Sequence, residues 1–287
     1  MKVLVLGAGG QVARAVAACT PASHSVFVKN RQDVDITNEN ALMAAVKLVE
    51  PDWIINGAAY TAVDKAESEP KLARAINEIA VGSMARVASQ SGSRLLHLST
   101  DFVFDGGSNR AYLPADQTNP QSAYAVTKLG GEQQAMANGD AIVLRTAWVY
   151  ASSGRNFVLT MLRLMKEKPE IRVVADQIGT PTWATGIGHA IWDLIDASAP
   201  RGIYHWTDLG VATWYDFAVA IQDEALTRGF LNHAIPVVPI GTAQYPTPAM
   251  RPAFSVLNTE STRALVKFPA QHWRHHLRVM LDELRTA

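Results

Sequence analysis

Cysteine is nearly absent. Cys19 stands alone in 287 residues, so an internal disulfide framework is excluded and a reducing compartment is expected. Its helical setting reads as a packed thiol rather than a reactive one. An excess of charge is missing too: 26 Lys and Arg balance 26 Asp and Glu, leaving no global field to recruit nucleic acid or an anionic membrane. Any anionic ligand must then be held by local groups such as helix N-termini, single arginines and backbone amides. Long apolar runs are also missing, with nothing approaching the roughly eighteen residues of a membrane span. The short run 3–6 after Lys2 is too brief for the apolar region of a signal peptide. The expectation is a soluble, cytoplasmic protein with neither nucleic acid nor membrane as partner.

What is present is an alternation of strand and helix. Residues 3–6 form an apolar run rich in β-formers, followed by Gly7-Ala8-Gly9-Gly10 and a helical stretch over 12–18. Strand, glycine turn and helix open a βαβ unit that can hold a pyrophosphate. The spacing G-x-x-G-x-x-G fits Gly7 and Gly10, with Ala13 at the third position. The first two glycines permit a tight turn and close backbone approach, and the third permits helix and strand to pack closely. Strands are expected at 24–28, 53–55, 95–98 and 141–145, with helices at 39–49, 71–91 and 124–137 between them. Asn77 falls in the first half of the helix expected over 71–91. This alternation predicts an α/β fold, a doubly wound, Rossmann-like parallel sheet.

Beyond Arg145 the pattern loosens. Helices are expected at 157–168, 184–196, 214–228 and 271–285, with strands at 171–175 and 202–206 and an ordered loop over 176–182. Pro236, Pro239, Pro246, Pro248 and Pro252 exclude a central strand or a long helix between them. The expected organisation is a dinucleotide-binding domain over 1–147. A smaller, loop-rich substrate lobe would follow over 148–287, with elements around 170–200 returning to the first domain.

Ligands of such a sheet sit at the carboxyl ends of the strands. That rule gathers Gly7 and Gly10, Arg31, residues 58–61 and Ser99-Thr100-Asp101 on one rim, together with the helix that carries Tyr124. The second strand ends in Lys29-Asn30-Arg31, with no acid until Asp33. An acid there would suit the 2′-hydroxyl of NAD, whereas two cations suit a 2′-phosphate, so NADPH is expected with NADH tolerated. Small residues at 57–59 leave room for the ligand. Tyr124 and Lys128 lie at i and i+4, on one helical face. A nearby ammonium favours the phenolate and lowers a phenol's pKa from about 10, so the pair suits proton exchange with a carbonyl or alcohol oxygen.

These motifs together resemble the extended short-chain dehydrogenase/reductase superfamily. Longer strings narrow the resemblance: residues 54–67, Ser99-Thr100-Asp101-Phe102-Val103-Phe104-Asp105-Gly106, Arg145-Thr146-Ala147-Trp148-Val149-Tyr150, residues 176–182 and residues 251–257. They are similar to the dTDP-4-dehydrorhamnose reductase family across nearly the whole chain. The resemblance implies reduction of the C4 keto group of dTDP-4-dehydro-L-rhamnose by NAD(P)H. Tyr124 would be the proton donor, and Lys128 would lower its pKa and hold the nicotinamide ribose. Thr100 would bond the reacting oxygen, Asp101 would contact the sugar, and Trp148 would pack on it. Gly10, Gln11 and Val12 would meet the pyrophosphate and Asp35 and Ile36 the adenine, while Ala59, Tyr60 and Thr61 would line the cofactor channel beside Ala58.

Three residues depart from the family pattern: Ala13 for a third glycine, Gly57 for a frequent alanine, and Phe102 for a frequent tyrosine. Some members dimerise through a metal held partly by an acid in the first helix. Arg14-Ala15 supplies no acid here, so no metal is expected, and the chain would be a monomer or homodimer. Two other functions share the same superfamily features: a reductase or epimerase of another nucleotide 4-keto sugar, and a non-catalytic regulatory homologue. The histidines at 272, 275 and 276 read as a solvated helix face, and His97 as a core histidine. The tryptophans at 183, 192, 206, 214 and 273 read as packing.

Overall fold

The computed structural model describes residues 1–286. In chain order the first half runs β1 (Lys2–Leu6), α1 (Gln11–Ala18), β2 (Ser25–Lys29), α2 (Glu39–Val49), β3 (Trp53–Asn56), α3 (Val63–Ser68), α4 (Pro70–Arg74), a π turn (Ala75–Ile79), α5 (Ala80–Ser91), β4 (Arg94–Thr100), α6 (Ala123–Asn138) and β5 (Ala141–Thr146). The second half runs β6 (Val149–Tyr150), α7 (Phe157–Glu167), β7 (Ile171–Val174), β8 (Ile178–Gly179), β9 (Thr182–Trp183), α8 (Ala184–Asp196), β10 (Gly202–His205), β11 (Ala212–Thr213), α9 (Trp214–Thr227), β12 (Val237–Ile240), α10 (Glu260–Arg263) and α11 (Trp273–Thr286). Among the described residues no helix is long and apolar enough to cross a membrane.

Six strands form one parallel sheet in the order β2-β1-β3-β4-β5-β10. β1 pairs with β2 on one side and β3 on the other, so the strand order reverses at β1 and opens a crevice beyond its carboxyl end. The sheet is buried on both faces, and its central strands accordingly read as continuous apolar runs. One face is covered by α2 and α5 through Leu42, Val46, Met84 and Val87, the other by α1 and α8 through Val16, Ile187, Ile191 and Trp192. The Trp192 indole donates to the Val16 carbonyl at 2.9 Å, fixing α8, from the second half of the chain, against α1. A third apolar cluster, centred on Phe217, Tyr150 and Leu277, joins α7, α9 and α11. The Cys19 thiol is partly buried, and burial pushes it up to about 11, an unreactive state.

Local sequence accounts for several helix starts. The Asn38 side chain accepts from the Asn40 and Ala41 amides, so Asn38 caps α2. Asn156 caps α7, and Thr213 with Asp216 forms a capping box on α9. Three expectations need correction. The helix expected over 71–91 is interrupted by the π turn, which swings Asn77 inward to bond both backbone groups of Tyr60. The stretch 176–182 holds two short strands, β8 antiparallel to β11 and β9 parallel to β6. His276 is not on a solvated face: it is 3% exposed, its Nδ1 lying 2.9 Å from the buried Asp208 carboxylate.

Candidate active site

A cleft of about 590 Å³ opens at the carboxyl ends of β1, β2 and β3. Its wall contains Gly7, Gly10, Asn30, Arg31, Asp35, Ile36, Ala58, Ala59 and Thr61, all singled out from sequence. Gly7 has φ +89°, and a Cβ there would stand 2.5 Å from the Ala58 amide nitrogen. Only glycine fits both that backbone conformation and that approach. Gly10, extended, precedes α1 and leaves its N-terminal amides uncapped by any side chain, an arrangement suited to an anion. Asn30 folds the turn after β2, its Oδ1 accepting from the Gln32 and Asp33 amides, and this leaves Arg31 exposed on the cleft wall. The Thr37 hydroxyl and amide donate to Asp35 and hold its carboxyl below the usual range.

Four expected cofactor residues do not line this cleft. Gln11 turns toward the second half of the chain, its Oε1 accepting from Asn156 Nδ2 at 2.9 Å. Val12 packs in the apolar layer between α1 and the sheet. The Tyr60 hydroxyl donates to Glu69 at 2.5 Å. Lys128 is buried one strand away, at β4. Conversely, Leu72, Ala75 and Ile76 of α4 and the π turn line the cleft without having been expected there. Their contribution depends on the π turn, which local spacing does not announce.

Thr100 ends β4. Its hydroxyl caps the turn Asp101–Val103, accepting from the Phe102 amide at 3.2 Å and donating to Asp101 Oδ1 at 3.0 Å. Asp101 is 2% exposed, and burial pushes its carboxyl up to about 6 while the Ser255 and Thr100 hydroxyls hold the rise back. Tyr124 and Lys128 share the buried face of α6 with Glu132, eight residues beyond Tyr124. Glu132 anchors that face to the sheet through a buried ion pair with Arg145 of β5, 2.7 Å, and accepts from Ser99 Oγ of β4 at 2.5 Å. The Phe102 ring meets Tyr124 edge to face at 5.9 Å, where the family pattern has a second phenol.

The expected effect of Lys128 on Tyr124 requires correction. Burial dominates and pushes the Tyr124 phenol up to about 12, opposed by the Thr100 hydroxyl, while Asp101 adds to the rise. The Lys128 ammonium is itself brought down to about 8 by burial, against the pull of Glu132. Its Nζ donates to the Leu98 carbonyl at 2.6 Å and lies 3.4 Å from His97 Nε2.

A second cavity of about 500 Å³ lies between α7, β7 and α9, with Phe157, Met161, Leu164 and Trp214 as its apolar wall and Lys168, Arg172 and Arg251 as its cations. Arg251 is aimed there by a bidentate pair with Asp64 of α3, 2.8 Å at the shorter contact. Trp148 has φ +46° and stacks flat on Trp214, ring centroids 3.5 Å apart. Gly179 makes room for it, since a Cβ there would stand 2.5 Å from the Trp148 ring. One face of the Trp148 indole is thus taken by Trp214, a residue read from sequence as packing.

The family model described as the RmlD substrate binding domain matches residues 1–286. The chain is 39% identical over 295 residues to the dTDP-4-dehydrorhamnose reductase of Burkholderia thailandensis, covering 99% of each. Among solved structures, a dTDP-4-dehydrorhamnose reductase from Clostridium acetobutylicum superposes with a TM-score of 0.93 at 37% identity, covering 99% of this chain and 100% of the other. The enzyme of Bacillus anthracis, in complex with NADP, gives 0.92 at 32% identity, covering 98% and 99%. The chain belongs to the RmlD substrate binding domain family, the family of the dTDP-4-dehydrorhamnose reductases.

Proposed function

We propose that this chain reduces the C4 keto group of dTDP-4-dehydro-L-rhamnose, giving dTDP-L-rhamnose, with NADPH as reductant. The observation that carries the reading is the buried group of Thr100, Tyr124 and Lys128 at the end of β4, in a chain 39% identical to a reductase of that name over its whole length. The cleft residues fit a dinucleotide: Gly7 leaves a cradle that a Cβ would fill, and the first turn of α1 offers free amides. Arg31, in a turn without a ribose-binding acid at the end of β2, supports a 2′-phosphate. Bound NADPH supplies the hydride.

The chain's own residues handle the oxygen. As C4 becomes tetrahedral its oxygen gains a full negative charge and must take a proton. Tyr124, held up to about 12, is a neutral phenol throughout the physiological range and starts each turnover with that proton in place. An alkoxide is far more basic than a phenolate, so transfer from Tyr124 runs downhill. The Lys128 ammonium stabilises the phenolate that remains, and Thr100 steadies the oxygen from the strand side. Asp101 and Trp148 would meet the sugar. The second cavity, with cations over an aromatic floor, suits a nucleoside diphosphate.

The test is turnover by the purified protein with NADPH and a panel of dTDP-4-keto sugars, followed by loss of nicotinamide absorbance. Oxidation of NADPH with dTDP-4-dehydro-L-rhamnose is expected. Turnover only with a sugar not epimerised at C3 and C5 would replace the substrate. No turnover with any of them would favour a non-catalytic homologue.

A further inference from the structure

We propose that Asn56, acting through His97, sets the protonation equilibrium of Lys128, so that these two residues are positioning residues for the lysine. Its meaning for turnover rests on the reductase reading above; the chain of hydrogen bonds does not.

His97 lies in the middle of β4, fully buried, between Asn56 of β3 and Lys128 of α6. Which nitrogen of its ring carries the proton follows from its neighbours. The Ala58 amide donates to Asn56 Oδ1 at 3.1 Å, and that bond fixes which end of the Asn56 amide is oxygen. The Nδ2 end therefore points at His97 Nδ1, 3.0 Å away, and donates to it. Burial holds the imidazole well below its ordinary value, with the Lys128 charge acting in the same direction, so the ring is neutral. A neutral ring whose Nδ1 accepts must carry its proton on Nε2. That N–H points at Lys128 Nζ, 3.4 Å away.

Every donor in the chain Ala58, Asn56, His97 is thus directed the same way, toward the lysine. An ammonium at Nζ has no lone pair to accept from Nε2–H and meets the positive end of the N–H dipole. A neutral amine can accept it while still donating to the Leu98 carbonyl at 2.6 Å. The arrangement favours the amine and adds to the burial that already brings Lys128 down. Other charged groups near Lys128 lie on the elements packed around it. Tyr124 and Glu132 are on its own helix, Asp101 follows β4, and Arg145 of β5 is paired with Glu132. Glu78 of the π turn is bonded to Arg74. Of these, Glu132 favours the ammonium, and no other group in the set donates a neutral N–H toward Nζ. The chain begins at Ala58, on the wall of the dinucleotide cleft, so it also joins that wall to the lysine.

Asn56→Asp tests this with little change in shape. The Ala58 amide still finds an oxygen, but the other oxygen now accepts. Above neutral pH the ring would then donate Nδ1–H to the carboxylate and turn the Nε2 lone pair toward Lys128, which favours the ammonium. Nitrogen NMR of histidine-labelled protein, with His97 assigned by His97→Gln, should give the Nε2–H form in the parent and the Nδ1–H form in Asn56→Asp. Carbon NMR of the Lys128 ε-methylene, assigned by Lys128→Met, should show its titration moved up by about one pH unit or more. The basic limb of kcat should move with it. An Nδ1–H ring in the parent, or a lysine titration unmoved in the variant, overturns the proposal. If Asn56→Asp does not fold, the parent spectrum alone decides between the two tautomers. Neither spectrum depends on turnover, so a failure of the reductase reading would leave both intact.

Discussion

The Ala13 methyl occupies the space that a methyl on Gly57 would need. A Cβ built on Gly57 would stand 3.1 Å from the Ala13 Cβ and 3.2 Å from the Leu6 carbonyl oxygen. Ala13 is fully buried where α1 crosses the end of the sheet, the place where the family pattern puts a glycine. Two departures that look independent in sequence are therefore one contact. Gly57→Ala should cost about 1–3 kcal/mol through overpacking. Adding Ala13→Gly should recover part of that loss, although glycine in a helix itself costs about 1 kcal/mol. A double-mutant cycle by urea unfolding should give a coupling of roughly 0.5–3 kcal/mol. Additive losses would show that the backbone, not the Ala13 methyl, excludes the alanine.

Tyr124→Phe keeps the ring that packs edge to face on Phe102 and removes only the proton donor. The expected result is a kcat lower by roughly 10²–10⁴-fold with KM little changed. Thermal unfolding of the variant should match the parent or exceed it, because a buried hydroxyl is lost. A near-normal kcat would assign the proton to another group at the end of β4.

The legible part of this protein lies where chemistry is written in short spacing. Gly7 and Gly10, Thr100, and the pair Tyr124 and Lys128 each declare themselves within five residues, and the parallel sheet then carries all of them toward one edge. Residues whose role depends on distant partners were not legible. The π turn brings Asn77 onto the Tyr60 backbone, 17 residues away in the chain. His276 looks like part of a charged helix face until Asp208 meets it in the interior. Trp214 read as packing, yet it stacks on Trp148, 66 positions earlier in the chain, and lines the second cavity with Phe157 and Arg172. The direction of the Tyr124 shift is not legible in sequence for a related reason. Helical spacing puts Lys128 one turn away, but only the packed structure shows that burial of the phenol outweighs any help from that lysine.

Arg31 is the one cation among Lys29, Asn30 and Arg31 that lines the dinucleotide cleft. If it grips a 2′-phosphate, Arg31→Ala removes charge-assisted hydrogen bonds worth about 1.5–3 kcal/mol. The KM for NADPH should then rise roughly 10- to 100-fold, since each 1.4 kcal/mol is about tenfold. The KM for NADH, which has no phosphate there, should change by less than about twofold. Equal losses for the two cofactors would move Arg31 from reading the phosphate to shaping the turn.

Asp101 makes stability depend on pH in a direction opposite to most carboxylates. Its folded-state value, raised by burial to about 6, lies above the roughly 3.9 of an unfolded chain, so the folded protein binds the proton more tightly. Below about pH 4 the group is protonated in both states and costs nothing. Between about pH 4 and 6 the unfolded chain releases the proton first, and stability falls as pH rises. Above about pH 6 the full penalty of roughly 2–3 kcal/mol remains. Asp101→Asn should therefore stabilise the protein at pH 8 by about that amount and leave it nearly unchanged at pH 4. Urea midpoints at the two pH values measure the difference. An equal shift at both would trace the effect to packing around Ser255 and Thr100 instead of to the buried charge.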